Sequence, residues 1–410
     1  MVKQSLRLMD KFFTRERFGP PQVFAGCLLL AFLAQCAWLI AHQQSGLIFP
    51  QELARVQEGW AQWHGQGVAG TPTGLVDPVQ GARMRGSPYD QDHSPLWYLI
   101  ESLPVAPFHV APDSPAWLWL TRGPYVLFGV LLGASLWYVS RRLYGNAGGY
   151  TALALYCFSP SVIRASTLWF SPPNIAAAWG TFGAVFTAIA VSHTLYAPRE
   201  VVLWNWRRIG LLGVSLALAI GSQFSLALII PVLLVFMLFV APDRKAAAVV
   251  ILVAGCGVAL VLLFGAYFLH PGLFFHGIAS AMLFRGTGAA LRVPGVYLQA
   301  VQEIVGSGPV LAVVAPVSLG VWLGWRRSRY FGNTAPLAAA LLFFALRIVS
   351  PHEAGSVYGL LGVVFLIVFV SGIAADLLET NARELGTAVI VGLLAANALW
   401  NLIGLAKVGR

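Results

Sequence analysis

The chain has 410 residues, of which 58% are hydrophobic and only 10% are charged, with a mean hydropathy of +0.73 and a formal net charge of +10. Soluble domains carry about 25% charged residues, so this composition excludes a soluble globular protein. Runs of roughly 20 apolar residues recur, each long enough to cross a ~30 Å hydrocarbon core. The ten-residue alternation of a β-barrel is not the pattern here. We therefore predict an all-α polytopic membrane protein with a single integral membrane domain over residues 1–410.

The apolar runs predict about 11 transmembrane helices, within a range of about 9 to 12. The predicted spans are 21–41, 117–140, 147–165, 175–195, 209–224, 226–241, 246–269, 308–325, 335–349, 356–374 and 385–404. Only Gly221-Ser222-Gln223 separates two of them, so 209–241 could also be one kinked helix. The first span lacks a small-residue cleavage site, and we interpret it as retained rather than as a signal peptide.

Basic residues fix the predicted orientation, because cytoplasmic segments of membrane proteins are enriched in Lys and Arg. Alternate segments between the spans hold most of the 26 basic residues, and these segments are assigned to the cytoplasm with the N-terminus. The segments 42–116, 270–307 and 350–355 then face outward. This rule explains the positive net charge, and no basic-aromatic stripe indicates a nucleic-acid partner. We expect an integral protein of a bacterial plasma (inner) membrane.

The loop 42–116 is the most polar part of the chain and is expected to carry interfacial or re-entrant helices. Between residues 43 and 101, its acids and histidines are Glu52, Glu58, His64, Asp77, Asp90, Asp92, His93 and Glu101. Leu53, Val56, Trp60 and Trp63 recur at helical spacing, which predicts an interfacial helix over 51–64 with this stripe toward the membrane or the bundle. Residues 94–110 are too short and too rich in proline for a span, and Glu101 among them needs a buried partner.

Short motifs occur in a fixed order along the chain. They are Gln51-Glu52 after the first span, His93-Ser94-Pro95-Leu96-Trp97-Tyr98, Ser140-Arg141-Arg142-Leu143-Tyr144-Gly145, Phe158-Ser159-Pro160, Pro173-Asn174, Ala219-Ile220-Gly221-Ser222-Gln223-Phe224-Ser225 and Ser350-Pro351-His352-Glu353. This order resembles the GT-C superfamily of membrane glycosyltransferases, in its branch of dolichyl-phosphate-mannose protein mannosyltransferases and aminoarabinose transferases. The chain departs from that pattern at Gln51 and Asn174, where the family has acids, and at Gln223, where it has a lysine.

The resemblance implies an inverting hexosyl- or pentosyltransferase that moves a sugar from a polyprenyl-phosphate donor to an acceptor at the outer membrane face. Such a reaction needs a carboxylate that takes the acceptor proton and cationic groups that stabilise the leaving phosphate. Glu52 matches the position of the base in the motif, near the start of the predicted helix. The alternative for Glu52 is that it only caps this helix.

The remaining candidates follow from position and charge. For the donor phosphate they are His93, Arg164, Arg347 and His352, and for the acceptor or the sugar they are Arg83, Arg85, Asp90, Asp92 and Asn174. Arg347 could instead reach lipid headgroups, while His93, Arg83 and Arg85 could be solvated loop residues. No cofactor is required. Asp90 and Asp92 leave a divalent cation possible, but two acids do not define a metal site.

Two other functions compete with the transferase. A non-catalytic, lipid-binding or assembly subunit of the same fold would account for the acids lost at Gln51 and Asn174. A transporter or flippase predicts charged residues at mid-span depth, and the predicted spans are nearly free of them. The expected partners are a polyprenyl-phosphate sugar donor and membrane lipid. The sequence leaves the acceptor open.

Overall fold

The computed structural model describes residues 19–42, 50–64, 91–108, 110, 114–168, 174–196, 206–281, 283, 286–351, 356–380 and 383–408. Within these ranges, every regular element is a helix, which confirms the all-α prediction. The α-helices, α1 to α15 in chain order, are Pro20–Ala41, Pro50–Trp63, Pro95–Ser102, Pro115–Cys157, Pro160–Thr167, Ile175–Thr194, Trp206–Ser222, Ile229–Val240, Lys245–Ala266, Pro271–Ser280, Pro294–Gly306, Pro309–Gly324, Phe331–Val349, Ser356–Leu378 and Arg383–Val408.

Seven described helices are long and apolar enough to cross a membrane, and an eighth span is possible if α11 and α12, bent by 111°, act together. All eleven predicted segments lie in helices, but four of them are short or broken. Ser159-Pro160 divides the predicted span 147–165 between α4 and α5, because proline cannot continue a helix. Gln223 is extended, with φ −162°, and it separates α7 from a 3-10 turn at Phe224–Leu228 and then α8. The segment 209–241 is therefore two helices.

The helix α14 lies at the centre of the molecule. Its residues from Val357 to Ala375 are all buried, and its sequence is apolar around the whole circumference, as expected for a helix surrounded by others. Helices α4, α6, α12, α13 and α15 pack around it. Small residues allow close packing elsewhere, as at Gly180 of α6, where a Cβ atom would lie 2.6 Å from the backbone nitrogen of Ala219 in α7.

The 43-residue helix α4 contains a chain reversal rather than one long rod. Gly145 has φ 73° and ψ −171°, a left-handed conformation that glycine adopts readily. The two limbs pack on each other, since Tyr156 Oη donates a 2.6 Å hydrogen bond to the carbonyl oxygen of Gly129. One limb therefore supplies the predicted span 117–140, and the other begins the next.

Some of the connecting segments that the charge pattern assigns to the same side lie in contact. At one end, Tyr144 Oη donates to the carbonyl oxygen of Gly332 at 2.6 Å, and Asn333 Nδ2 donates to Asp376 at 2.7 Å. The basic turns around residues 141–146 and 326–333 thus lie together. At the other end, α2 packs on α3, and the polar groups predicted to face outward meet.

Candidate functional site

The helix α2, Pro50–Trp63, confirms the predicted helix over 51–64 and packs directly on α3. The two helices pack closely at Gly59, where a Cβ atom would overlap the carbonyl oxygen of Tyr98. Val56 is fully buried, and Leu53 packs beside it as predicted, whereas Trp63 is 46% exposed. The inward face also carries buried Glu52 and Glu58. The predicted apolar stripe is thus only part of the buried face.

Glu52 is buried at the start of α2, with a relative exposure of 2%. Its Oε1 accepts a hydrogen bond from Nη1 of Arg122, a fully buried residue near the start of α4. Its Oε2 has no hydrogen-bond partner among the described residues. Burial raises the pKa of the Glu52 carboxyl above its ordinary value, and the Arg122 guanidinium opposes this rise. The helix N-terminus and Arg122 together favour the charged form.

A second carboxylate, Glu101 of α3, lies beside this pair. It is fully buried and accepts hydrogen bonds from Arg55 Nε at 3.3 Å and from Tyr125 Oη at 2.9 Å. Glu101 was predicted to require a buried partner, and it has two, Arg55 and Tyr125. We call Glu52, Arg55, Glu101, Arg122 and Tyr125 the carboxylate cluster. Two acids and two arginines balance its formal charge, and the charge of Glu101 also raises the pKa of Glu52.

The turn that contains His93 binds the break between α7 and α8. The amide of Ser94 donates to the carbonyl oxygen of Gly221 at 2.9 Å, and the amide of Phe224 donates to that of Asp92, also at 2.9 Å. Gly221 permits this contact, since a Cβ atom there would lie 2.9 Å from Leu96. Two motifs that are far apart in sequence are thus joined through their backbones.

A line of contacts continues from this break to Arg347. Tyr358 Oη, on α14, donates to the carbonyl oxygen of Ser225 at 3.2 Å. The next residue, Gly359, lies against the carboxylate of Glu303 in α11. Glu303 Oε1 in turn accepts a 2.6 Å hydrogen bond from Arg347 Nε at the end of α13. The His93 turn and Arg347 therefore belong to the same end of the molecule.

The Arg347 side chain is 12% exposed and that of Glu303 is 24% exposed. Arg347 Nη1 also donates to the carbonyl oxygen of Ser350 at 3.2 Å. A small apolar groove lies between the 3-10 turn, α8, α13 and α14, and its lining includes Leu346, the residue before Arg347, and Tyr358, the residue before Gly359. Its lining consists of Leu226, Leu228, Ile229, Val232, Leu342, Phe343, Leu346 and Tyr358. An arginine beside an apolar groove can bind an anion that carries a hydrocarbon chain.

The other candidates are dispersed. Arg164 is exposed on α5. Asn174 caps α6, and its Oδ1 accepts from the amides of Ala176 and Ala177 at 2.9 and 3.3 Å. Asp92 and His93 are half-buried in the docked turn. Among the described residues, no group of three or more His, Cys, Asp or Glu side chains could hold a metal ion.

Four predicted residues, Arg83, Arg85, Asp90 and His352, lie outside the described ranges. Their assigned roles, including the possible cation at Asp90 and Asp92, stay predictions.

Sequence reasoning missed two residues that complete the ion pairs. Arg122 is the one charged residue in the predicted span 117–140, and a charge in a span is itself a signal for a buried partner. Glu303 is the one acid between residues 270 and 307. A single charged residue in an apolar segment indicates that the residue requires a partner, but it does not identify that partner.

Comparison with known proteins places this geometry on a known fold. No family model and no curated protein sequence matches the chain. Among solved structures, ArnT from Cupriavidus metallidurans bound to undecaprenyl phosphate has a TM-score of 0.58 at 16% identity, over 94% of this chain and 71% of that one. In the apo state, ArnT gives a TM-score of 0.59 at 11% identity, over 95% and 77% of the two chains.

The archaeal oligosaccharyltransferase AglB from Archaeoglobus fulgidus, in complex with an inhibitory peptide and a dolichol-phosphate, has a TM-score of 0.55 at 12% identity. That match covers 93% of this chain and 56% of AglB, so the chain spans about half the length of the oligosaccharyltransferase. Both proteins have the GT-C fold of membrane glycosyltransferases, and this chain shares it.

Proposed function

We propose that this chain, a membrane protein of GT-C fold, transfers a sugar from a polyprenyl-phosphate donor to an acceptor at the extracytoplasmic face. The observation that carries the proposal is the arginine–apolar groove at the same end of the molecule as the buried carboxylate cluster. Structural neighbours of this fold bind undecaprenyl phosphate or a dolichol-phosphate, which supports the same donor class here.

The proposed reaction is a displacement at the anomeric carbon of the sugar. A lone pair of the acceptor oxygen or nitrogen forms the new bond to that carbon, while the bond between the carbon and the phosphate oxygen breaks. The bonding electrons leave with the polyprenyl phosphate, and the acceptor proton passes to a carboxylate. Attack opposite the leaving group inverts the anomeric configuration. The same displacement applies to a hexose and to a pentose.

We assign the carboxylate role to Glu52. Arg122 keeps Oε1 engaged and favours the ionised form, while Oε2 is left to accept a proton. Because Glu52 is buried, an acceptor reaches Oε2 only if α2 moves relative to α3. Such closing and opening movements are common in transferases that exclude water from the reacting centre.

We assign the phosphate role to Arg347, with His352 and His93 as further donors and Arg164 as a peripheral cation. The apolar groove beside Arg347 would give the hydrocarbon chain of the donor a surface to lie against, because its lining is wholly apolar apart from the Tyr358 hydroxyl. Arg83, Arg85, Asp90, Asp92 and Asn174 remain candidates for contacts with the sugar or acceptor. No metal ion is needed for the step as written.

The non-catalytic, lipid-binding subunit is the second candidate, and one observation favours it. Glu52 is buried in an ion pair, as structural carboxylates often are. In that case the carboxylate cluster would only fix α2 and α3, and the groove would bind lipid without turnover. The two functions share the Arg347 site and differ at Glu52.

Transfer from a defined donor tests the proposal. The purified chain in liposomes would be given undecaprenyl-phosphate sugars, both hexose and pentose, with a mixture of lipid and peptide acceptors, and release of undecaprenyl phosphate would be measured. Release above that of an Arg347→Ala control supports a transferase. Saturable lipid binding without release, with every donor, supports the subunit instead.

The membrane face has its own test. A cysteine introduced at Gly67, in a protein whose native cysteines are replaced, should react with an impermeant thiol reagent in intact cells. Labelling that appears only after lysis would place the loop 42–93 in the cytoplasm and would contradict transfer at the outer face.

A further inference from the structure

The carboxylate of Glu303 occupies the place where the proposed phosphate would bind. Its Oε1 lies 2.6 Å from Arg347 Nε. A phosphate oxygen would seek the same guanidinium edge, because both anions accept charge-assisted hydrogen bonds from arginine. The site therefore contains its own anion.

The Glu303 side chain is more exposed than the carboxylates of the carboxylate cluster, at 24% against 3% for Glu52 and 0% for Glu101. Its Oε2, like that of Glu52, has no hydrogen-bond partner among the described residues. The carboxylate fits beside α14 only because residue 359 is glycine: a Cβ atom there would overlap Oε2. All three nearest atoms to that position belong to the Glu303 carboxylate, which is the end of a flexible side chain. The carboxylate can therefore move without a shift of the backbone.

The helix α11 that carries Glu303 is exposed on its other side. Tyr297, Leu298, Val301 and Val305 are between 44% and 57% exposed, whereas Val296 and Ala300 are buried. An apolar outer face suits contact with lipid. Arg347 therefore meets a carboxylate from a helix whose far face is apolar and exposed.

We propose that Glu303 is a built-in competitor for the phosphate at Arg347, which yields to the donor and returns to expel the product. The inference rests on the proposed function and adds a residue that determines whether Arg347 binds the donor or the product more tightly. The donor is a phosphodiester with one negative charge. The product is a phosphomonoester, whose second pKa near 6 gives it almost two charges at neutral pH.

The difference in charge gives Glu303 its effect. Coulomb repulsion grows with the product of the two charges, so a carboxylate repels a doubly charged phosphate about twice as strongly as a singly charged one at the same distance. A carboxylate beside Arg347 therefore disfavours the doubly charged product more than the singly charged donor. Without Glu303, the bare guanidinium would hold the product more tightly than the donor, and release would become slow.

Binding of short, soluble probes tests this without turnover. The probes are farnesyl phosphate, a monoester, and its methyl diester, and their affinities would be measured by native mass spectrometry on the full-length protein in detergent. Glu303→Gln should raise the affinity for farnesyl phosphate by roughly tenfold and that for the diester by clearly less. Equal increases for both probes, or none, would overturn the proposal.

A second variant covers the case in which Glu303→Gln perturbs folding. Gly359→Ala keeps the charge of Glu303 but pushes its carboxylate away from Arg347, so it should also raise the affinity for farnesyl phosphate. Gly295→Ala, in the same helix α11 as Glu303, is the matched control, because a Cβ atom there meets nothing within 4 Å. An affinity that falls in Gly359→Ala, with an unchanged melting temperature, would contradict a displaceable carboxylate.

Two competition experiments test whether the site binds other phosphate compounds. Inorganic phosphate lacks the hydrocarbon chain and should not compete with farnesyl phosphate, and phosphatidylglycerol should compete only weakly. Strong competition by either would make this a general anion site and would overturn the inference. If the wild-type protein binds neither farnesyl probe, the proposed donor site itself fails. If it binds both in an Arg347-dependent way, and Glu303→Gln changes nothing, only the role of Glu303 fails.

Discussion

The two groups of ion pairs at the end of the molecule that holds α2 and α3 differ in how firmly their charges are held. In the carboxylate cluster, Glu101 is fully buried with two partners and Glu52 is buried against Arg122. At the groove, one described carboxylate, Glu303, meets Arg347, and both side chains are partly exposed. Burial makes the first arrangement costly to break, whereas exposure lets an external anion compete for the second. We interpret the first as an arrangement that opens only when α2 moves during the reaction, and the second as a binding site that an external anion enters directly.

Removal of the Glu52 carboxylate should have the largest effect on turnover. Glu52→Gln keeps the shape of the side chain and abolishes its function as a base, so transfer should fall by roughly 100-fold or more, while donor binding changes little. Initial rates of product release measure this. Glu101→Gln is the matched control, since it removes a buried carboxylate from the same cluster.

If both variants lose activity equally and also melt at lower temperature, the cluster is structural as a whole. Undiminished transfer by Glu52→Gln would move the base to Asp90 or Asp92.

Loss of the Arg122 guanidinium should have the largest effect on the free energy of unfolding. Arg122→Gln leaves Glu52 buried without its cation, and removal of one partner of a buried pair costs about 3–5 kcal/mol. A carboxyl group with a raised pKa in the folded state favours folding at low pH and loses that contribution as the pH rises through its folded pKa. The destabilisation should therefore grow with rising pH, and thermal unfolding over a pH series measures it.

The same substitution should move the pH profile of transfer. Because Arg122 opposes the rise in the pKa of Glu52, its removal raises that pKa further, and the ascending limb of kcat/KM moves to higher pH. Arg55→Gln, at the more exposed pair, should move the limb less. A limb that stays in place in Arg122→Gln would exclude Glu52 as the titrating base.

Arg347→Ala should give an intermediate effect and should act on binding. The loss of a charge-assisted contact to phosphate is worth about 1.5–3 kcal/mol, so the affinity for undecaprenyl phosphate should fall by roughly 10-fold or more. Arg347→Lys should also bind less tightly, because the planar fork becomes a point charge. Arg83→Ala is the comparison. Equal, small effects of both alanine variants would reassign Arg347 to lipid headgroups.

The smallest effect is expected at Tyr125. Tyr125→Phe removes the hydrogen bond to Glu101 but leaves the Arg55 contact, so it should lower stability by about 1 kcal/mol and leave lipid binding unchanged. Thermal unfolding and the farnesyl phosphate assay measure the two quantities. A change in lipid affinity as large as that of Arg347→Ala would show that the two groups of ion pairs are not independent.

The sequence was most informative where a physical constraint acts on a short segment. The bilayer imposes helices, so all eleven apolar segments are found in helices, and the spacing of Leu53 and Val56 located α2. Chain breaks were harder. Nothing in the apolar run 209–241 fixes the extended conformation of Gln223, which depends on the docked turn at Asp92 and Ser94.

Side-chain partners were the least predictable. The sequence indicated that Glu101 and Arg347 require partners, but the partners come from elements 44 to 46 residues away in Arg55 and Glu303. Arg122 is 70 residues from Glu52. Ion pairs of this kind depend on how helices cross, which periodicity does not determine. The stripe of Trp60 and Trp63 predicted the presence of α2 but not the acids on its buried face.

The backbone exchange between Asp92–Ser94 and Gly221–Phe224 has a consequence for assembly in the membrane. An open amide or carbonyl group at the end of a broken span is costly in lipid, and here the partner of each group comes from a loop made much earlier in synthesis. The loop must therefore already lie at that end of the molecule when α7 and α8 enter the membrane. A chain in which the loop is delayed or deleted should fail at insertion of this pair, and it would be recognised by quality control rather than persist as an inactive protein.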